Sequence, residues 1–292
     1  MKALKVCSLF DGMSCGRIAL DRAQIPVESY KASEIKKSAM QVAKHNYPDT
    51  IHVGDVTALS SEDFPEGVDL LIGGSPCQDF SMANAMTKDR KGLDGEKSRL
   101  FYEYLRLLRE LKPKYFLLEN VKMKPEAKKQ LDDYLGVEGV LIDSQLVSFQ
   151  RRPRMYWTNI PNLTIPEDRG VLFKDHRCRD LEYERLFKVN KTPSRIKMWN
   201  NGEGRSNAMG TCANVSEADK VYCLTRKQDR SPNSGLVTLD DFCRYLTRKE
   251  LEKAQTVPVG YTDCLSYLQA QDVLGDGWTV DVIAHIFKGL QS

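Results

Sequence analysis

The stretch LKVCSLFDGMSCG, residues 4–16, decides the fold. Leu4 to Phe10 is an apolar run of strand length that stops at Asp11 and Gly12, and RIALDRA (17–23) then repeats at helical spacing. A buried strand that turns on glycine straight into a helix is the opening unit of a sheet with helices on its faces. Working outward, VESYKASE (27–34) reads as a strand, KSAMQVAKHNY (37–47) as a helix, and IHVGDV (51–56) and VDLLIGG (68–74) as strands. SRLFYEYLRLLRELK (98–112) is helical and YFLLENV (115–121) is a further strand. This alternation predicts an α/β fold, a Rossmann-like, doubly wound and mostly parallel sheet.

After about residue 155 the pattern loosens around Pro161, Pro166 and Pro193, and helical periodicity returns in 247–255, 266–274 and 280–290. The expected organisation is a catalytic and cofactor-binding domain over 1–155, a smaller irregular lobe over 156–240, and a segment 241–292 that returns to the first domain. Charge follows the same division. The 292 residues carry a net +3, but residues 150–230 hold 17 basic against 10 acidic residues, which leaves 26 against 30 elsewhere. A cationic segment on a slightly anionic body is a cue for an anionic partner.

Composition excludes other classes. Hydrophobic residues make up 41% and mean hydropathy is −0.46, values of a water-soluble globular chain. No apolar run approaches the roughly 20 residues of a membrane helix, and Asp11 interrupts the first run too early for a signal peptide. The eight cysteines have irregular spacing and no C-x-x-C pair, so neither a disulfide framework nor a metal site is expected. Reduced thiols in a cytoplasm are the simplest account.

Chemistry-bearing residues gather at strand ends. Gly12 and Gly16 lie in the first strand-to-helix turn, Glu34 closes the second strand and Asp55 the third. Loops at the carboxyl ends of neighbouring strands are where open α/β sheets bind nucleotides, and an acidic residue there can hold ribose hydroxyls. A tight turn with two solvated carboxylates would read the same way. The spacing G-x-x-x-G differs from G-x-G-x-x-G, which favours a cofactor with ribose and adenine but no diphosphate. The fourth strand runs into Ser75-Pro76-Cys77-Gln78-Asp79-Phe80-Ser81. A cysteine after Ser-Pro at a strand end has the exposure a nucleophile needs. Glu119 ends the next strand, where burial is costly unless the group is paired or in use. In Gln150-Arg151-Arg152-Pro153-Arg154, alternation on an extended chain sends Arg152 and Arg154 to one side.

These parts together resemble the DNA (cytosine-5)-methyltransferase family. Its blocks occur in order: F-D-G-x-x-x-G (10–16), Pro76-Cys77-Gln78, Glu119-Asn120-Val121, Gln150-x-Arg152-x-Arg154, Arg244-x-Leu246-Thr247-x-x-Glu250 with Gln255, and Gly275-Asp276-Gly277-Trp278. Ser14 and Cys15, Lys253 and Asp276 depart from the usual wording. The opening and the Trp278 block are similar to the animal de novo branch, whereas the compact length suits a prokaryotic or phage enzyme.

The resemblance implies methyl transfer from S-adenosylmethionine to C5 of cytosine in duplex DNA, on a base flipped out of the helix. It implies Cys77 as covalent nucleophile, Glu119 on the ring nitrogen N3, Arg152 on the O2 oxygen and Arg154 organising the loop. Phe10, Asp11, Gly12, Met13, Gly16, Glu34, Ile35, Asp55, Val56, Asp276, Gly277 and Trp278 would bind the cofactor. Pro76, Gln78, Ser81, Asn120, Gln150 and Arg226 would bind the substrate, residues 78–98 would close over it, and Lys220, Lys227 and Arg230 would meet phosphates in the target-recognition lobe. A monomer without metal or membrane contact is expected, cytoplasmic and nucleoid-associated through DNA, with a cognate restriction endonuclease as a candidate partner. The alternatives are a tRNA cytosine-5 methyltransferase and a catalytically silent DNA-binding homologue.

Overall fold

The computed structural model describes residues 2–75, 99–190, 192–193, 214–228 and 234–291. The chain forms two units. One comprises Met1–Ile142, Pro153–Ile165 and Val282–Ser292, and the other Asp143–Arg152 and Pro166–Asp281.

The first unit is built on a seven-stranded sheet. Its elements are β1 (Leu4–Leu9), α1 (Cys15–Arg22), β2 (Val27–Ser33), α2 (Lys37–Asn46), β3 (Ile51–His52), β4 (Leu70–Gly73), α3 (Arg99–Leu111), β5 (Tyr115–Val121), α4 (Pro125–Leu135), β6 (Val140–Asp143) and β7 (Pro153–Thr158). The strand order is β3-β2-β1-β4-β5-β7-β6. Strands β3 to β5 pair in parallel, and β7 runs antiparallel to β5. The chain moves from β1 outward to β2 and β3, then crosses back to β4 on the other side. The carboxyl ends of β1 and β4 therefore flank the switch point at which such sheets bind ligands.

Burial explains why these residues make these elements. Val6, Cys7 and Leu9 of β1, an inner strand, are buried on both faces, so the strand reads as an apolar run. Helix α3 buries Phe101, Tyr104, Leu105 and Leu107 at helical spacing, and these join Leu118, Met155 and Trp157 in one core. A Cβ at Gly16 would lie 2.3 Å from Ile72 Cδ1, so only glycine lets α1 settle this closely onto the sheet.

Three sequence-based expectations are corrected. The third strand covers two residues, not 51–56, because Gly54 turns with φ +85° and Asp55 caps a short 3-10 turn. The polar helix α4 and the short strand β6 had no counterpart in the apolar pattern. The return to the first unit comes at Val282, not at residue 241, and the boundaries at 155 and 156 move because Pro153–Ile165 lies in the first unit and Asp143–Arg152 in the second. The C-terminal end of the chain, Val282–Ser292, belongs to the first unit, where Gln291 donates to Ala23 O and Gly289 abuts Pro161.

The second unit contains α5 (Phe173–His176), α6 (Leu181–Arg185), the short pair β8 (Val237–Thr238) and β9 (Cys243–Arg244), α7 (Arg248–Ala254), and α8 (Tyr267–Asp276); a last helix, α9 (Val280–Phe287), starts here and continues into the first unit. The R-x-L-T-x-x-E block has a structural explanation. Thr247 and Glu250 form a capping box on α7, and the fully buried Arg244 bridges Glu250 at 2.8 Å and Glu184 at 2.6 Å. No described helix is long and apolar enough to cross a membrane.

Candidate active site

The turn after β1 is held in unusual backbone geometry. Phe10 and Ser14 adopt positive φ of 56° and 62°, and Gly12 lies between them at 61°. Left-handed non-glycine residues persist only where their surroundings fix them. Here the fixing group is Asp11: its carboxylate accepts from Ser14 Oγ at 2.6 Å and from Tyr30 Oη at 2.7 Å. Burial raises the Asp11 pKa above the ordinary carboxylate value, and the bonds from Ser14, Ser8 and Tyr30 pull against that rise. Asp11 thus supports the loop from inside, and Ser14 and Tyr30 join it without any signal in the sequence pattern. Met13 is fully buried and Gly16 packs α1 against the sheet, so the side of the turn they form faces the core.

The neighbouring loop carries Glu34. Its carboxylate receives the Gly12 N–H at 2.8 Å and the N–H groups of Ile35 and Lys36, both at 2.8 Å, which ties the first two strand ends together. Ile35, beside it, is an apolar side chain that is 70% exposed. Asp55 is exposed and caps its own turn through Thr57, while Val56 is buried in the core. A carboxylate for hydroxyl donors and an apolar surface for a flat ring, at adjacent strand ends, is a donor set that fits an adenosine group.

The other side of the switch point carries Glu119 and its neighbours. Glu119 is 8% exposed, and its Oε1 lies 3.0 Å from Arg154 Nε. Asn120, also buried, donates from Nδ2 to Ser75 Oγ at 3.2 Å and Ser75 O at 3.5 Å, while its Oδ1 accepts from Val121 N at 2.8 Å. Pro76, Cys77, Gln78 and Ser81, with the rest of 76–98, lie outside the described residues, as does Arg230.

The two arginines do not share a role. Strand β7 begins only at Pro153, so strand alternation does not extend back to Arg152. Arg152 is 3% exposed, and its guanidinium donates within the second unit to Leu224 O at 3.1 Å, Gly275 O at 3.0 Å, Gly277 O at 2.8 Å and Cys223 Sγ at 3.3 Å. Four of its five N–H groups are in use, so the expectation that Arg152 holds a base oxygen is corrected. Gln150 is likewise internal: it donates to Ala254 O at 2.7 Å and Gln255 Oε1 at 2.9 Å and accepts from Leu224 N at 3.1 Å. It is a buried brace, not a substrate contact.

With this geometry in place, comparison with known proteins bears on residues 4–135. Residues 4–135 match the family model described as C-5 cytosine-specific DNA methylase. This segment, less than half of the chain, is similar to that family. Among curated relatives, the orphan methyltransferase M.SPRI of Bacillus phage SPR is 40% identical over 62% of this chain and 43% of its own length. The orphan methyltransferase M.Rho11sI of Bacillus phage rho11s is 34% identical over 60% of this chain and 36% of its own length. The chain therefore spans less than half the length of these relatives. In fold it is similar to the Entamoeba histolytica methyltransferase EhMeth, with a TM-score of 0.78 at 15% identity and 100% coverage of both chains.

The matched segment ends before the cationic region, where two further expectations change. Lys220 Nζ is caught by three carbonyls, Gln145 O at 2.7 Å, Ser148 O at 3.0 Å and Val171 O at 2.8 Å. Burial lowers its pKa below the ordinary lysine value, against nearby Asp168, Asp143 and Asp219. Arg226 is half-exposed and pairs with Asp272 at 2.7 Å and Asp276 at 3.4 Å. Both cations are matched within the second unit, so the expected phosphate and substrate contacts are not their resting state. Asp276 and Gly277 accordingly serve this unit's own bonds. Trp278, half-buried, follows them there. Among the described residues no group of acidic, cysteine and histidine side chains has the arrangement of a metal site.

Proposed function

We propose that the chain transfers a methyl group from S-adenosylmethionine to C5 of cytosine in duplex DNA. The observation that carries this reading is the buried pair of Glu119, near the carboxyl end of β5, with Arg154 of β7, beside Asn120 and its bond to Ser75 after β4. A carboxylate and a forked cation at one buried spot can grip two adjacent polar atoms of a ring. In this reading Glu119 meets N3 and Arg154 meets O2 of an extruded cytosine, and Arg152 is reassigned to holding the second unit together.

Cys77 follows Ser75 by two residues, which bounds its Cα within roughly 7 Å of that of Ser75 by chain length alone. Its thiolate adds to C6 of the ring, and the C5–C6 π electrons move toward C5 as negative charge spreads to N3 and O2. Arg154 stabilises the charge at O2, and a proton delivered through Glu119 to N3 neutralises the charge developing there. C5 would take the electrophilic methyl as its bond to the donor sulfur breaks, that sulfur keeping the electron pair; C5 then loses its proton to a base, and the C6–sulfur bond breaks to restore the ring and the thiolate. Gly12, Glu34, Ile35 and Asp55 hold the cofactor, with Glu34 on the ribose hydroxyls and Ile35 against the adenine. When bound, S-adenosylmethionine supplies the electrophilic methyl group.

The reading is tested with duplex DNA carrying 5-fluorocytosine, which has no C5 proton to lose. With S-adenosylmethionine present, the protein is expected to form a complex stable to denaturation, and Cys77→Ala is expected to form none. A complex that persists in Cys77→Ala overturns the nucleophile assignment.

A further inference from the structure

Tyr30 of β2 is 1% exposed, and its Oη donates to Asp11 Oδ1 at 2.7 Å. It starts well below the turn that Asp11 belongs to, since in the β1–β2 register Tyr30 stands opposite Val6. The hydroxyl reaches up to the turn past a glycine: a Cβ on Gly16 would lie 3.1 Å from Tyr30 Oη. The other carboxylate oxygen, Oδ2, accepts from Ser14 Oγ at 2.6 Å. Two backbone donors of the same turn also reach toward β2 and its end, Asp11 N–H to Ser33 O at 3.1 Å and Gly12 N–H to Glu34 Oε2 at 2.8 Å. Of these ties, the one from Tyr30 is made by a side chain of β2 itself.

The turn needs such ties. Phe10, Gly12 and Ser14 all hold positive φ, and two of the three are not glycine. Residues in that region stay there only while their surroundings hold them. An ionised carboxylate is an acceptor only, so Asp11 can fix the turn to β2 only through donors such as the Tyr30 O–H. Removing that O–H leaves a buried charge short of a donor and frees the turn to leave its left-handed geometry. The Gly12 N–H, which that geometry aims at Glu34, moves with it.

We propose that Tyr30 is a positioning residue for the cofactor: through Asp11 its hydroxyl holds the Phe10–Ser14 turn in the shape that joins Gly12 to Glu34, and so sets S-adenosylmethionine affinity from inside the unit. This rests on the methyl-transfer reading above, in which Gly12 and Glu34 hold the cofactor.

The experiment titrates S-adenosylmethionine calorimetrically into wild type, Tyr30→Phe, Asp11→Asn and the double variant, at a temperature where thermal unfolding shows each fully folded. Tyr30→Phe keeps the buried ring and loses only the O–H. It is expected to bind about 10-fold more weakly, the scale of one hydrogen bond to a charged group. On top of Asp11→Asn the same change should cost less than about twofold more, because residues in one hydrogen-bond network are not additive. Tyr47→Phe supplies the comparison for a hydroxyl with a merely structural role. Tyr47 donates to Asp21 at 2.7 Å, and the Arg17 guanidinium lies over its ring as it does over that of Tyr30, but this bond does not involve the turn. Its affinity should match wild type. Wild-type affinity in Tyr30→Phe, an equal loss in Tyr47→Phe, or a loss that repeats in full on top of Asp11→Asn overturns the positioning role. A wild-type chain that binds no S-adenosylmethionine overturns the underlying reading instead, so the two failures are distinct.

Discussion

Arg154 Nε lies 3.0 Å from Glu119 Oε1, and the pair is diagonal across two antiparallel strands. In the β5–β7 register Glu119 faces Tyr156 and Val121 faces Arg154, so Arg154 stands two residues from the position opposite Glu119, on the same face of the sheet. Arg154→Lys retains the charge beside Glu119 but loses the planar fork. Stability to urea should stay within about 1 kcal/mol of wild type, while kcat for methyl transfer falls about 100-fold.

Arg152→Lys should behave in the opposite way. A single ammonium cannot reproduce bonds to Leu224, Gly275 and Gly277, so buried carbonyls lose their donors. Unfolding in urea should show a loss of about 3 kcal/mol, with S-adenosylmethionine affinity little changed. Wild-type stability in this variant would contradict the structural role.

The two glycines of the first turn should respond differently to alanine. Gly16→Ala drives a methyl into Ile72 and is expected to cost about 1–3 kcal/mol in thermal unfolding. Gly12→Ala meets no atom nearer than 4.0 Å and pays only for its φ of +61°, about 1 kcal/mol. Its larger effect should be weaker cofactor binding, measured by calorimetry.

Asp132 gives a pH signature. Burial disfavours its charge, but Lys128, the Gly139 N–H and the Trp157 indole N–H together hold its pKa below the ordinary carboxylate value. A folded pKa below the unfolded one contributes stability above the unfolded value, about 3.9, and loses it as pH falls through the folded value. Asp132→Asn should therefore be less stable than wild type by about 1 kcal/mol at pH 7. The difference should shrink below about pH 4. A gap that widens on acidification would contradict this placement.

The buried triad of Arg244 with Glu184 and Glu250 should be intolerant of losing its centre. Arg244→Met leaves two buried carboxylates without a counter-charge, and denaturant unfolding should register about 3–5 kcal/mol.

Much of the fold was legible because β1, β4 and β5 are buried on both faces and therefore read as unbroken apolar runs. Helix α4 and strand β6 were not, since α4 buries only Leu131 and Leu135 and β6 only Ile142. Glu34, Glu119 and Asn120 stood out as candidates because polar groups at the ends of buried strands are out of place unless paired, and all three are hydrogen-bonded or ion-paired in the structure. The roles of Arg152 and Arg154 were not, because a two-residue alternation says which side a residue faces only inside a strand, and the strand starts between them. Gln150, Lys220 and Arg226 looked available as a polar or basic run, and only tertiary contacts reveal that carbonyls and carboxylates already hold them. The irregular second unit gave little warning of where the chain returns, since α7 and α8 have the same helical periodicity as α9.

The central claim is most directly tested by incubating the purified protein with duplex DNA and S-adenosylmethionine carrying a labelled methyl group, then hydrolysing the DNA and separating its bases. The account expects label in 5-methylcytosine with wild type and none with Cys77→Ala. Wild-type protein that binds the cofactor yet leaves cytosine unlabelled, or label that survives Cys77→Ala, would contradict it.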